Sequence, residues 1–305
     1  METVICIFNP EHDLCLANGS SNYMPPESAL RFARESAGLM RILYPEASQC
    51  LPSPLAFSSN QQINSSTNQQ IIPWGWNTAL RNHLLKMGVE APFLPTEEEL
   101  NAIRRLQHRS TILPLQPYSI AATAIGEVED MVARHHAVVL KAPWSGSGRG
   151  LRWVTEAMSA HDVSWMQKVV KNQGCVIVEP RHKVQSEFAL EYHVGKSGIS
   201  FVGFSYFTSS NGVYHGNLLL SDEAIRQRVG YTIDEQAALE HWLAAHVVGQ
   251  YEGPLGIDYL YTQEGQHILS EMNFRHTMGM VAHEYLRQHP EREGEEWTLQ
   301  QGSHK

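Results

Sequence analysis

Apolar and polar positions follow two rhythms along the chain. Val4 to Phe8 is a short apolar, β-branched run closed by Asn9-Pro10, which predicts a buried strand feeding a loop. The loop Glu11-His12-Asp13 and the polar stretch Asn18 to Asn22 follow it. Pro25-Pro26-Glu27 opens a helix, with Leu30, Ala33 and Ala37 at helical spacing, and Met40 to Leu43 reads as a second strand. Strand, helix and strand in this order begin a βαβ unit. Ser53 to Gln70, rich in Ser, Asn and Gln, is expected to be a long surface loop. Trp76 to Met87 and Thr96 to His108 read as helices, the second opening with Thr96 and Glu99 at capping-box spacing.

Beyond the Pro-rich segment Pro114 to Pro117 the pattern changes, which makes it the expected domain boundary. Ala137 to Lys141 is a strand that stops at Pro143, and Leu151 to Val154 resumes after a glycine-rich turn. His161 to Lys171 is helical and Cys175 to Glu179 is a strand. Glu187 to Val194 and Ile199 to Thr208 form a strand pair around Gly195 and Gly198. Ile233 to Gln250 is the longest helical pattern. Leu255 to Tyr261 and His267 to Met272 are strands around Gln263-Glu264-Gly265-Gln266, and Met278 to Gln288 closes as a helix. From Pro290 the tail is polar and is expected to be loosely held. No internal repeat is visible. The reading is a mixed α/β (α+β) chain.

Composition narrows the function classes. With 305 residues, 42 % hydrophobic and 18 % charged, the chain can bury a sizeable core, so disorder is excluded as its main state. A formal charge of −9 argues against a general nucleic-acid binder, whose phosphate contacts need a basic surface. No apolar run is long enough to span a membrane. The start has an acid at Glu2 and too short an apolar stretch for a signal peptide, so a cytoplasmic location is expected. Cys6, Cys15, Cys50 and Cys175 lack C-x-x-C spacing and read as reduced thiols; the sixteen histidines lack any zinc-ligand spacing.

The last strand pair carries the most chemistry. With a two-residue loop at Glu264-Gly265, Leu260 faces Leu269 and Asp258 faces Glu271. Opposed like charges about 5 Å apart are destabilising, so two such carboxylates favour a cation between them. Asn273 points to the same side, and Asp, Glu and Asn oxygens suit a hard ion such as Mg²⁺. Arg275, two residues on, can hold an anion brought by that metal. The bland alternative is an exposed hairpin whose acids face water, and a three-residue loop would break the register. Lys141, ending an apolar strand, needs a partner or water for its charge. Four residues on, Ser145-Gly146-Ser147-Gly148-Arg149-Gly150 exposes backbone N–H groups suited to phosphate, or is simply a flexible turn. Glu179-Pro180 and Glu187 place acids at a strand exit, where a carboxylate can meet ribose hydroxyls; plain surface acids are the alternative. Gly195-Lys196-Ser197 lacks the earlier glycine of a P-loop, position 190 being Leu190.

In this order, the Lys141 strand, the glycine loop, the Val-Ile-Val-Glu exit, Gly-Ile-Asp and Glu-Met-Asn-Phe-Arg resemble the ATP-grasp superfamily over roughly Ala137 to His276. The resemblance implies an N-terminal Rossmann-like substrate domain (1–113), a small lid domain (114–180), a C-terminal antiparallel-sheet domain with the metal site (181–290) and a polar tail (291–305). It implies that Lys141 contacts nucleotide phosphates and that Gly146, Ser147, Gly148 and Gly150 belong to a lid over them. Glu179 takes the adenine hinge and Glu187 a ribose or nearby contact. Asp258, Glu271 and Asn273 hold one or two Mg²⁺ ions, with Mn²⁺ as an alternative, and Arg275 steadies the transferred phosphoryl group. The usual early phosphate-binding lysine has its nearest equivalent in Arg109. His12 and Asp13, leaving the C-terminal end of the first strand, are candidate substrate contacts, against capping or bridging a turn. Trp74-Gly75-Trp76 suits a pocket wall or, more simply, packing under a helix start. The activity so implied is a Mg-ATP-dependent ligase that activates a small-molecule carboxylate as an acylphosphate and joins it to an amine. A small-molecule kinase and a non-catalytic nucleotide-sensing protein are the alternatives, and a homo-oligomer is compatible with any of them.

Overall fold

The first strand of the computed structural model, which describes residues 3–56, 69–145 and 150–298, is buried on both sides. β1 (Thr3–Phe8) lies between β2 (Gln49–Pro52) and β3 (Gln69–Pro73) and is parallel to both. Cys6 and Phe8 pack with Leu39, Met40, Trp74, Val281, Ala282 and Trp297, while Ile5 and Ile7 pack with Leu80, Leu84, Val89 and Leu94. Burial on both faces is why this strand reads as a continuous apolar run instead of an alternation.

The second sheet is antiparallel, in the order β4-β7-β5-β6: β4 (Ile120–Ala122), β5 (Ala137–Lys141), β6 (Leu151–Thr155) and β7 (Val176–Pro180). Helices Ile125–His135 and Ala160–Gln173 cover one face, burying Val128, Met131, Met166 and Val169 against Val138, Leu140, Val154 and Val178. Alternation then sends Val139, Lys141 and Glu179 to the opposite face.

The third sheet holds β8 (Val184–Gly195), β9 (Gly198–Ser210), β10 (Val213–Leu218), β11 (Gly253–Thr262), β12 (His267–Asn273) and β13 (Glu296–Trp297). Its order is β12-β11-β8-β9-β10-β13, and every pairing is antiparallel. Phe188, Leu190, Tyr192, Phe204, Leu255, Ile257 and Tyr259 face helices Asp222–Val229 and Ile233–His246. The other face is polar: Glu187, Glu191, Asp258, Glu271 and Asn273 alternate with those core positions. Lys196 and Ser197 are the two-residue turn between β8 and β9.

Three expectations are corrected. Met40–Leu43 is an α-helical turn, not a strand; four apolar residues carry no period, and β2 takes the place beside β1. Glu11-His12-Asp13 is not a free loop, because His12 and Asp13 begin the helix His12–Asn18. Residues 290–298 are not loosely held: Trp297 is 1 % exposed in the core beside Phe8, and β13 extends the third sheet along β10. In the expected loop Ser53 to Gln70, Pro54–Ala56 form a 3-10 turn and Gln69 starts β3; 57–68 lie outside the described residues. The helices expected at Trp76 to Met87 and Thr96 to His108 form as Thr78–Lys86 and Glu97–Leu106, the second with its Thr96/Glu99 capping box. The four cysteines are free thiols. Among the described residues no helix is long and apolar enough to cross a membrane.

Beyond the C-terminal end of β1, Asn9, Glu11, His12, Ser53 and Asn77 are buried polar residues. Ser53 donates its hydroxyl to Glu11 Oε1, whereas Glu11 Oε2 and His12 Nε2 are buried with no hydrogen-bond partner among the described residues. Burial pushes the Glu11 carboxyl up to about 7, against which the Ser53 hydrogen bond works, and lowers His12 to about 4.

Two outcomes follow from this packing. Trp297→Ala should cost about 3–5 kcal/mol in urea unfolding, as for other buried tryptophans, and a loss below about 1 kcal/mol would show the terminus to be dispensable. Glu11 binds its proton more tightly folded than unfolded, so its contribution is fully present below the ordinary carboxyl range and is lost as pH rises through about 7. Glu11→Gln should therefore gain stability over wild type between pH 5 and pH 8, on the order of 2 kcal/mol. An equal difference at both pH values would contradict this.

Candidate active site

The hairpin of β11 and β12 sets the geometry. Its loop has three residues, Gln263, Glu264 and Gly265: Thr262 N donates to Gln266 O at 2.9 Å, and Gly265 N to Thr262 O at 3.0 Å. Gly265 sits at φ +78°, the left-handed position that closes such a loop. The longer loop shifts the expected pairing by one, so Leu260 faces Ile268 instead of Leu269. A bulge at Ser270 then restores the register, and Asp258 does face Glu271, with Gly256 opposite Asn273.

The bulge also gives Lys141 a partner. Lys141 Nζ reaches Ser270 Oγ at 3.1 Å and Ser270 O at 3.4 Å, and pairs with Glu179 Oε2 at 2.7 Å. Glu179 is thus a buried counter-charge to Lys141, not an open carboxylate at a strand exit; its Oε1 is buried with no hydrogen-bond partner among the described residues. Arg109, in the 3-10 stretch Arg109–Leu115, donates from Nη2 to Glu271 Oε1 at 2.6 Å. The same guanidinium holds Ala142 O, Ser145 Oγ and Ser145 O at 2.6, 2.7 and 2.9 Å, tying the mouth of the glycine-rich segment to the acid. Gly150 O closes that mouth by accepting from Ala142 N at 2.8 Å; Gly146, Ser147 and Gly148 lie outside the described residues.

β12 is the edge strand of its sheet, and side chains cover its outer backbone. Gln116 Nε2 donates to Leu269 O, Lys141 to Ser270 O, and Gln107 Oε1 accepts from Phe274 N at 2.7 Å. An edge so occupied cannot pair with another strand and is held in place at the acids.

Arg275 closes the other side. It donates to Asn273 Oδ1 at 3.0 Å and to both oxygens of Asp13 at 3.2 and 3.0 Å, while Asn273 Nδ2 donates to Asp258 Oδ2 at 3.1 Å. Asp13 is therefore engaged by Arg275, and His12 lies fully buried beside it against Asn77 and Gly75. Trp74 packs edge-on to Phe8 and beside His276, so it serves the core and not a pocket wall.

Electrostatics single out the acids. Burial pushes the Asp258 carboxyl well above the usual range, and Glu271 and Glu191 push it further, with Arg275 and Asn273 opposing. Burial would raise Asp13, but Arg275 and His12 outweigh it and hold the carboxyl below its ordinary value. Glu191 was not foreseen. It is fully buried and pushed up to about 7 by burial, against hydrogen bonds from Thr277 Oγ1 at 2.9 Å and Ser205 Oγ at 3.0 Å. Its signal was present in the alternation of β8, which puts Glu187 and Glu191 on one face. Glu187 lies further along that face, pairs with Leu260 and Phe207, and accepts from Ser209 Oγ at 2.9 Å.

Among the described residues no three His, Cys, Asp or Glu gather as a metal site. A cation here would rely on two acids and an amide oxygen. That donor set fits a hard ion such as Mg²⁺, which takes its remaining ligands from water and phosphate, and the raised Asp258 carboxyl shows what a cation would relieve.

No protein-family model matches the chain, and no curated protein matches it in sequence. Solved structures match its fold. D-cycloserine synthetase superposes with a TM-score of 0.57 at 11 % identity, covering 95 % of this chain and 99 % of that one. A biotin carboxylase–β-γ-ATP complex from Campylobacter jejuni gives 0.56 at 14 % identity, over 94 % and 68 %. D-alanyl-alanine synthetase A from Vibrio cholerae O1 biovar eltor gives 0.51 at 14 % identity, over 94 % and 93 %. At such identities the likeness speaks to fold: the chain has the ATP-grasp fold.

Proposed function

We propose that the protein is an ATP-dependent ligase that joins a small-molecule carboxylate to an amine through a C–N bond. The observation that carries this is the convergence on one hairpin of Asp258 opposite Glu271, Asn273 and Arg275 beside them, and Lys141 on the bulge between. Two neighbours of the fold are synthetases and a third is a complex with β-γ-ATP, which supports a nucleotide as the ligand.

In this reading Lys141 and Arg109 meet the nucleotide phosphates and Arg275 meets the transferred γ-phosphoryl group. Asp258, Glu271 and Asn273 hold Mg²⁺, which when bound supplies charge neutralisation of the phosphate oxygens. The substrate carboxylate oxygen attacks the γ-phosphorus, the bond to ADP breaks, and an acylphosphate forms. The amine nitrogen then attacks the acyl carbon; orthophosphate leaves with the former carboxylate oxygen, and the amine's proton passes to solvent or phosphate. The protein's part is positioning and charge, so no protein nucleophile is needed. The first sheet offers the strand ends beside Arg275 to the substrates, and the second sheet covers the phosphates.

The route of one oxygen atom tests this. With ¹⁸O-labelled carboxylates and a panel of amines, turnover should yield ADP and orthophosphate one for one, with ¹⁸O in the orthophosphate. A stable phosphorylated product without orthophosphate would make the protein a kinase, and no ADP with any pair would make it non-catalytic. Asp258→Asn should lower turnover at least about 100-fold while leaving metal-free unfolding within about 1 kcal/mol of wild type, since it relieves the opposed charge.

A further inference from the structure

Both carboxylate oxygens of Asp13, in the first turn of the helix after β1, are taken by one guanidinium: Arg275 donates from Nε to Oδ1 at 3.2 Å and from Nη2 to Oδ2 at 3.0 Å. Arg275 Nη2 also donates to Asn273 Oδ1 at 3.0 Å, and Nη1 to His276 O at 3.0 Å. These bonds engage four of the five N–H groups of a planar fork, and turning the fork breaks several at once. Backbone packs against the base of the same side chain. A Cβ at Gly75 would lie 2.9 Å from Arg275 Cβ and 2.7 Å from His12 Nδ1, so only glycine lets β3's exit pack there. Asn9 fixes that exit, donating from Nδ2 to Gly75 O at 2.8 Å and accepting from Gly75 N at 3.3 Å.

We propose that Asp13 is a positioning residue that aims Arg275 at the terminal phosphoryl group, so that the helix after β1 governs discrimination of nucleoside triphosphate from diphosphate. The proposal rests on the nucleotide site described above and assigns Asp13 a part other than substrate contact. Charge and geometry make opposite demands here. Asp13 neutralises Arg275, so by charge alone its removal would strengthen the hold on a triphosphate. If its work is to aim the fork, removal weakens that hold.

The sign is measurable by calorimetry on the full chain with Mg²⁺, using ADP and the non-hydrolysable triphosphate AMPPNP as probes. The quantity is Kd(ADP)/Kd(AMPPNP). Arg275→Ala should lower it, and Asp13→Asn should lower it about three- to tenfold, the size of one net hydrogen bond. Asp13→Asn placed in the Arg275→Ala background should change it no further. An unchanged or raised ratio in Asp13→Asn overturns the positioning role while leaving the nucleotide site standing. An unchanged ratio in Arg275→Ala overturns the assignment of Arg275 itself. Should Asp13→Asn fail to fold by near-ultraviolet circular dichroism, Asp13→Glu keeps the charge and displaces the fork; it too must lower the ratio, or the proposal falls.

Discussion

Two carboxylates facing each other across an antiparallel pair repel, and the surrounding structure is arranged to contain that repulsion. Asp258 and Glu271 stand opposite on β11 and β12, with the buried Glu191 adding to the field that raises Asp258. Glu271 is met by Arg109 and Asp258 by the amide of Asn273, which Arg275 holds in turn. An ion pair removed from water contributes little net stability. Its consequence is geometric: the cations and the amide fix where the two acids sit.

Those cations and their partners come from distant parts of the chain. Lys141 belongs to the second sheet, Arg109 to the 3-10 stretch before it, and Arg275 to the segment just after β12, where it reaches Asp13 in the helix that follows β1. Each contact thus joins the acidic hairpin to another element, and all of them close on the few residues from Asp258 to Arg275. The Ser270 bulge is central to this. It restores the pairing of the acids and presents both its hydroxyl and carbonyl to Lys141.

Much of the third sheet was legible because one face is core and the other polar, which writes a period of two into β8, β9 and β11. The pairing of Asp258 with Glu271 was legible for a less direct reason: the three-residue loop and the bulge each shift the register by one, and the shifts cancel. Neither leaves a clear mark in the sequence, since Gly265 suits either loop and Ser270 is an ordinary strand residue. The ion pairs were not legible. Arg109 lies 162 positions from Glu271 and Asp13 262 positions from Arg275, and no local pattern encodes contacts of that range. Trp297 was misjudged because the polar residues around it dominate the composition of the tail, while one side chain decides where it lies. The pairing of Glu179 with Lys141 was not legible, because a strand-end acid looks the same in sequence whether it meets solvent or a lysine.

The account stands on the hairpin being a seat for a divalent ion, and Mn²⁺, whose unbound fraction is read directly by electron paramagnetic resonance, addresses that seat once the Mn²⁺ bound by ADP without protein is subtracted. With ADP present, the wild-type chain should remove at least one Mn²⁺ per molecule from the free signal, and Glu271→Gln should return most of it. Mn²⁺ that stays free with the wild-type chain and ADP, or stays bound to the variant as to wild type, would contradict it.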